Sequence, residues 1–231
     1  MIVLPRLYPI LDAGSFSDAL GLLAAAQELS ATGVTLIQYR NKSGNAKAML
    51  EQARELRRLF PAHAAVESHS NVAKGATLEW GTQSSESHNV FRLIMNDRAD
   101  LGVAAEFDGV HVGQEDLSPE AARRIIGPDR WLGVSTHNPE QVREGDLTSV
   151  DYLAIGPVFA TSSKDKPDPV VGLEGVRGAR ALTRKPLVAI GGITRANAAS
   201  VIEAGADSVA VISDLLREPR KSAEEFFHIL R

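Results

Sequence analysis

Short apolar runs alternate along the chain with longer segments in which apolar residues recur every three or four positions. The runs Leu7–Leu11 (LYPIL), Val34–Tyr39, Phe91–Met95, Gly109–Val112, Trp131–Val134, Tyr152–Ile155, Pro186–Ile190 and Ser208–Ile212 read as strands. Between them the spacing predicts helices over Phe16–Ser30 and about Gly44–Phe60, the second with Met49, Ala53, Leu56 and Phe60 on one face. Further helices are expected from Arg98, from a Ser118 cap to Ile126, from Pro139, and over Leu173–Leu182, Arg195–Glu203 and Lys221–Leu230. Eight strand-helix units predict an α/β fold, a (β/α)8 (TIM) barrel occupying residues 1–231 as one domain. An open doubly wound sheet is the runner-up, disfavoured because no GxGxxG follows the first strand.

One stretch breaks the alternation. Pro61 to Asn89, between helix two and strand three, is polar and rich in Ser, His, Thr and Asn, where about 2 to 6 residues usually suffice. A surface insertion at about 61–90, leaving the bottom of the barrel, is expected there. The irregular spacing of His63, His69 and His88 makes a poor metal site, and Trp80, its one large apolar residue, is the candidate anchor for a homo-oligomer contact.

Composition narrows the function classes. With 44% hydrophobic and 23% charged residues the 231-residue chain belongs among folded proteins, not disordered ones. A net charge of −4 excludes a broad basic face for nucleic acid, so an anionic ligand must meet locally concentrated charge. The absence of cysteine removes disulfides, thiolate nucleophiles and zinc-thiolate sites. The start MIVLPRLYPILDAG lacks the separate basic and apolar regions of a signal peptide, and no run approaches bilayer length, which gives the expectation of a cytoplasmic protein with no membrane partner.

In a barrel of this kind the residues just after each strand share one face. Strand two ends in Gln38-Tyr39-Arg40-Asn41-Lys42, where alternation sends Gln38, Arg40 and Lys42 to one side: an amide and two cations, suited to a phosphate ester or to solvated charge. Strand three ends in Asn96-Asp97-Arg98 and strand four in Gly113-Gln114-Glu115-Asp116. Asp97 and Asp116 alone would each read as a cap or turn residue, but together, on adjacent strands, they make the one-or-two-carboxylate arrangement that holds Mg²⁺ against phosphate oxygens. Strand five delivers Ser135-Thr136-His137, and strand six a loop with Thr161, Ser162 and Ser163 followed by Lys164, suited to oxyanion contacts. Strands seven and eight end in Gly191-Gly192-Ile193 and Ile212-Ser213, the glycine and small polar residues of a phosphate cradle. His111 and His137 read as scaffold residues near this rim.

Taken in order, QYRNK, MNDRADL, GVHVGQEDL, GVSTH, GPVFATSSK, VAIGGI and VAVIS resemble the thiamine-phosphate synthase family over essentially the whole chain apart from Pro61–Asn89. The resemblance implies a (β/α)8 barrel that joins 4-amino-2-methyl-5-hydroxymethylpyrimidine diphosphate to a thiazole phosphate carboxylate, releasing diphosphate and CO₂. It implies pyrimidine diphosphate contacts from Gln38, Tyr39, Arg40, Asn41, Lys42, Asn96, Ser135 and Lys164, with Mg²⁺ on Asp97 and Asp116. Thiazole phosphate contacts would come from Thr161, Ser162, Ser163, Gly192, Ile212 and Ser213. Arg40, Lys42, Ser135 and Lys164 would act in catalysis, largely as an electrostatic clamp on the leaving diphosphate, so no protein nucleophile is needed. The chain departs from the family pattern at Ser163, usually Thr, and in the insertion. A thiazole tautomerase resembles it less, carrying a His where this chain has Pro157, and a non-catalytic binder of thiamine precursors is disfavoured by retention of the charged positions.

Overall fold

The structure, a computed structural model, describes residues 2–62, 91–161 and 168–231. Eight parallel strands close into a barrel in chain order: β1 (Leu7–Asp12), β2 (Leu36–Arg40), β3 (Arg92–Asn96), β4 (Gly109–Val112), β5 (Trp131–Thr136), β6 (Tyr152–Ile155), β7 (Leu187–Ile190) and β8 (Ser208–Val211). β8 returns to β1 with Leu7 opposite Val209, which leaves no free sheet edge. Around it run α1 (Ala19–Ala31), α2 (Ala46–Leu59), α3 (Ala99–Ala104), α4 (Pro119–Ile126), α5 (Pro139–Leu147), α6 (Gly172–Leu182), α7 (Ala198–Glu203), α8 (Ser213–Leu216) and α9 (Pro219–Ile229). The expected strands and helices are all present, with ends shifted by a few residues. The short α8 was not expected, and the expected insertion, with Trp80, His63, His69 and His88, falls almost wholly outside the described residues.

Side-chain caps account for several boundaries. α1 starts at Ala19 instead of Phe16 because the Asp18 carboxylate accepts the Gly21 N–H at 2.9 Å, and a 3-10 turn over Ala13–Ser15 precedes it. Asn45, Ser118 and Asn138 cap α2, α4 and α5, the last two with Pro at the first helical position. α7 starts late because a turn precedes it, in which Asn197 Oδ1 accepts the Thr194 N–H at 2.8 Å and Asp214 accepts the Arg195 N–H at 2.9 Å.

Alternation along the strands divides the core in two. Outward residues such as Leu11, Ile37, Leu93 and Val110 pack under the helices, whereas Leu4, Tyr8, Ile10, Leu36, Ile94, Tyr152, Ala154, Val188 and Ala210 fill the barrel. The interior is packed by pairing large with absent side chains: a Cβ on Gly133 would lie 2.1 Å from the Tyr152 ring and 2.5 Å from His111 Nδ1.

Among the described residues, the N-terminal ends of the strands carry one device three times. Asp108, Asp151 and Asp207 stand one residue before β4, β6 and β8 and accept the backbone N–H of Leu93, Leu132 and Leu187 on the preceding strand at 2.7, 2.7 and 2.8 Å. The same carboxylate oxygens receive Arg57, Arg123 and Arg180, from α2, α4 and α6, at 2.7, 2.7 and 2.8 Å. Each arginine also donates to main-chain carbonyls beyond its helix, Phe60, Gly127 and Lys185 among them, so helix end, strand start and carboxylate are tied at one point.

Candidate active site

At the opposite end the strands open into a cavity of about 360 Å³. Its floor comes from inward residues of the strands and its rim from the loops that follow them. β2 supplies Gln38 and Arg40 to the lining and its loop supplies Lys42, as alternation required. The Arg40 guanidinium donates to Asp12 Oδ2 at 2.8 Å, and Lys42 Nζ to Asp97 Oδ2 at 2.5 Å.

Asp97 sits directly after β3 with φ +62°, a left-handed conformation unusual for any residue but glycine and least costly for Asn and Asp. Its N–H donates to the His111 carbonyl at 2.7 Å, which ties the turn to β4. Asp116 closes the turn after β4 by accepting the Gly113 N–H at 2.8 Å. Its carboxyl is pushed above the usual carboxylate range, first by burial and then by the neighbouring Asp97, with Gly113 N–H and Lys42 pulling the other way. Two carboxylates this close favour a cation between them. Among the described residues no cluster of three or more His, Asp or Glu forms a metal cage.

The floor holds a chain of buried polar groups. Gln38 Nε2 donates to Tyr8 Oη at 3.1 Å, Tyr8 Oη lies 3.0 Å from Tyr152 Oη, Tyr152 Oη lies 3.1 Å from His111 Nδ1, and His111 Nε2 lies 2.9 Å from Ser135 Oγ. Burial holds the His111 imidazole down to about 4, partly opposed by Asp116, and raises both tyrosine hydroxyls, so at neutral pH the imidazole is uncharged and the phenols stay protonated. Gln114 Nε2 donates to the Ser135 carbonyl at 2.6 Å and fixes the loop after β4 against β5.

On the far wall Gly191 and Gly192 have φ +99° and +63°. Cβ atoms there would lie 2.5 Å from Pro157 Cβ and 2.5 Å from the Ala160 carbonyl, so only glycine lets the turn after β7 approach the segment after β6. Gly192, Thr161, Ile212 and Ser213 line this side.

Set beside known proteins, this arrangement has relatives. A family model described as thiamine monophosphate synthase matches residues 82–215. A thiamine-phosphate synthase from Koribacter versatilis is 54% identical over 98% of this chain and 96% of its own length, a span that runs through the segment at 61–89. The chain belongs to the thiamine-phosphate synthase family. A thiamine-phosphate synthase from Chloroflexus aurantiacus is 39% identical over 90% of this chain and 83% of its own length. A solved thiamine phosphate pyrophosphorylase from Pyrococcus furiosus superposes with a TM-score of 0.75 at 28% identity, covering 97% of this chain and 95% of that one. Thiamine-phosphate synthases are transferases, and this chain is an enzyme of that class.

Within this thiamine-phosphate synthase barrel, Gln38, Arg40, Lys42, Asn96, Ser135, Thr161, Gly192, Ile212, Ser213 and Asp116 line one cavity, with Asp97 joined to it through Lys42. Two of the residues expected to touch substrate are turned elsewhere. Tyr39 is fully buried beneath α2, donates to Gln52 Oε1 at 2.6 Å and stacks edge-on against Phe107, and Asn41 Nδ2 donates to the same Tyr39 hydroxyl and to Gln52. The alternation that carries Gln38 and Arg40 inward sends Tyr39 outward, and Asn41 follows it. Ser162, Ser163 and Lys164 lie outside the described residues. The sequence reasoning missed Tyr8 and Tyr152, whose signal was a hydroxyl-bearing aromatic at an inward position of an otherwise apolar strand. It also missed Asp12, the partner of Arg40.

Proposed function

We propose that the cavity condenses 4-amino-2-methyl-5-hydroxymethylpyrimidine diphosphate with thiazole phosphate carboxylate to give thiamine phosphate, diphosphate and CO₂, through a dissociative pyrimidine cation. The observation that carries the reading is the grouping of Arg40, Lys42, Asp97 and Asp116 at one rim, two cations beside two neighbouring carboxylates, of which Asp116 is raised by burial and by the other. Those carboxylates suit Mg²⁺, a hard cation that takes one or two carboxylates and completes its shell with phosphate oxygens and water. Asp97 and Asp116 would hold it, and when bound it supplies positive charge against the departing diphosphate.

The rest falls to the chain's own groups. Arg40 and Lys42 present their charges to the diphosphate from positions already fixed by Asp12 and Asp97, so little reorganisation accompanies the build-up of leaving-group charge. Lys164 is assigned to the same clamp by the family resemblance. Gln38 and Ser135, at the polar floor, hold the heterocycle, and Gly192, Ile212 and Ser213, with Thr161, hold the thiazole phosphate, which keeps the two reacting atoms in line; Ser162 and Ser163 are assigned to the same phosphate by the family resemblance. The test is to mix purified protein with both substrates and Mg²⁺ and to follow thiamine phosphate and diphosphate together. Equal amounts of the two are expected; diphosphate without thiamine phosphate, or neither, would refute the condensation.

A further inference from the structure

The polar chain on the cavity floor joins two residues of the lining, Gln38 on β2 and Ser135 on β5, through three groups that the proposed chemistry does not use: Tyr8, Tyr152 and His111. Four hydrogen bonds connect five groups, and each bond uses one hydrogen. Because the Gln38 amide nitrogen faces Tyr8, it gives the first hydrogen. The Tyr8 hydroxyl has then accepted and donates to Tyr152; Tyr152 donates to His111 Nδ1; and His111 donates from Nε2 to Ser135 Oγ. Apart from the second hydrogen of the Gln38 amide, the one left over is that of Ser135.

We infer that Tyr8, Tyr152 and His111 are positioning residues whose hydrogen-bond relay fixes the Ser135 hydroxyl as a donor into the cavity and leaves the Gln38 carbonyl as an acceptor. The two ends are coupled. Turning the Gln38 amide over would reverse every bond in the chain, consume the Ser135 hydrogen inward and exchange donor for acceptor at both lining positions. The floor then discriminates by the donor and acceptor pattern of its ligand, and the pattern it displays fits a neutral heterocycle with a ring acceptor beside an amino donor, an amidine edge.

The relay is built into the barrel. Tyr8 and Tyr152 are each 1% exposed or less, their rings meet edge-on at 6.2 Å, and Gly133 leaves room for the Tyr152 ring and His111 together where any side chain would collide with both. Buried polar groups carry such weight because a group that loses its partner there has no water to replace it.

The choice of ligand rests on the proposed function, but the direction of the relay does not, and the experiment separates them. Side-chain ¹⁵N NMR of the ligand-free protein, with the His111 signals assigned by their loss in His111→Gln, is expected to show hydrogen on Nε2 and a bare Nδ1. A bare Nε2 would overturn the inference. In the Tyr152→Phe variant, the pyrimidine diphosphate KM is expected to rise about tenfold, the worth of one hydrogen bond to the ligand, while the thiazole phosphate KM changes less than about twofold. Equal changes in both would reduce Tyr152 to general packing and overturn its positioning role. A protein inactive on these substrates with Nε2 protonated would refute the function and leave the relay standing.

Discussion

At the N-terminal ends of the strands Asp108, Asp151 and Asp207 each meet one arginine and one strand N–H, and each arginine meets at least one main-chain carbonyl as well. At the C-terminal ends Asp97 and Asp116 stand next to one another, one in a left-handed backbone conformation and the other with its carboxyl raised by burial and by its neighbour. The residue types are the same. Below, hydrogen-bonding capacity is consumed within the protein, and the charges fasten helices to strands. Above, like charges are held close around an open volume, a cost to the fold that the proposed cation would relieve. Stability is invested at the bottom, which leaves the top free to hold groups in positions suited to a ligand.

The sharpest way to break this contrast is to exchange effects between the ends. Asp97→Asn is expected to lower kcat by about 10³, equivalent to roughly 4 kcal/mol of transition-state stabilisation, with an unfolding midpoint no lower than that of the parent. Steady-state kinetics beside a thermal melt read both. Asp108→Ala should do the reverse, leaving the Arg57 guanidinium and the Leu93 N–H without their acceptor at a cost of about 3 kcal/mol and a midpoint lower by roughly 6–12 °C, with KM values of the folded enzyme unchanged.

Two smaller effects sharpen it. The His111 pKa is about 4 in the fold against an ordinary 6.5, so between those values the unfolded chain binds more protons than the folded one. Stability is therefore fully present above pH 6.5 and is lost as pH falls from 6.5 towards 4, by at most of order 3 kcal/mol. Urea melts across that window should show the loss in the parent and a flatter profile in His111→Gln. A divalent ion binding only the folded state should stabilise the parent by about 2.7 kcal/mol at a hundred times its Kd, and Asp116→Asn less at the same concentration.

The barrel was legible in the sequence because each strand and helix repeats its own period and the caps at Ser118 and Pro139 are local. The rim was legible for the same reason: alternation fixes which of Gln38, Tyr39 and Arg40 point inward once the strand is known. Tyr39 and Asn41 were drawn into the site by the family motif, which is contiguous in sequence where the cavity takes alternate residues. The arginine-aspartate clamps escaped notice because their partners are far apart: 28 residues for Arg123 and Asp151, 27 for Arg180 and Asp207, and 51 for Arg57 and Asp108, where the stretch from Pro61 to Asn89 intervenes and hides the repeat. The relay was invisible for a related reason. Tyr8, Gln38, His111, Ser135 and Tyr152 come from five different strands and meet only when the barrel closes.

The most direct test of this division of labour is Asp116→Asn, with kcat/KM and unfolding midpoint measured on one preparation without added metal in the melt. The folded-state carboxyl is raised above its ordinary range, so its ionised form at neutral pH weakens the fold, and removing the charge should raise the midpoint. The account predicts a more stable protein that has lost about a hundredfold or more in kcat/KM. A variant with a lower midpoint and undiminished turnover would contradict it, since Asp116 would then serve the fold as Asp108, Asp151 and Asp207 do.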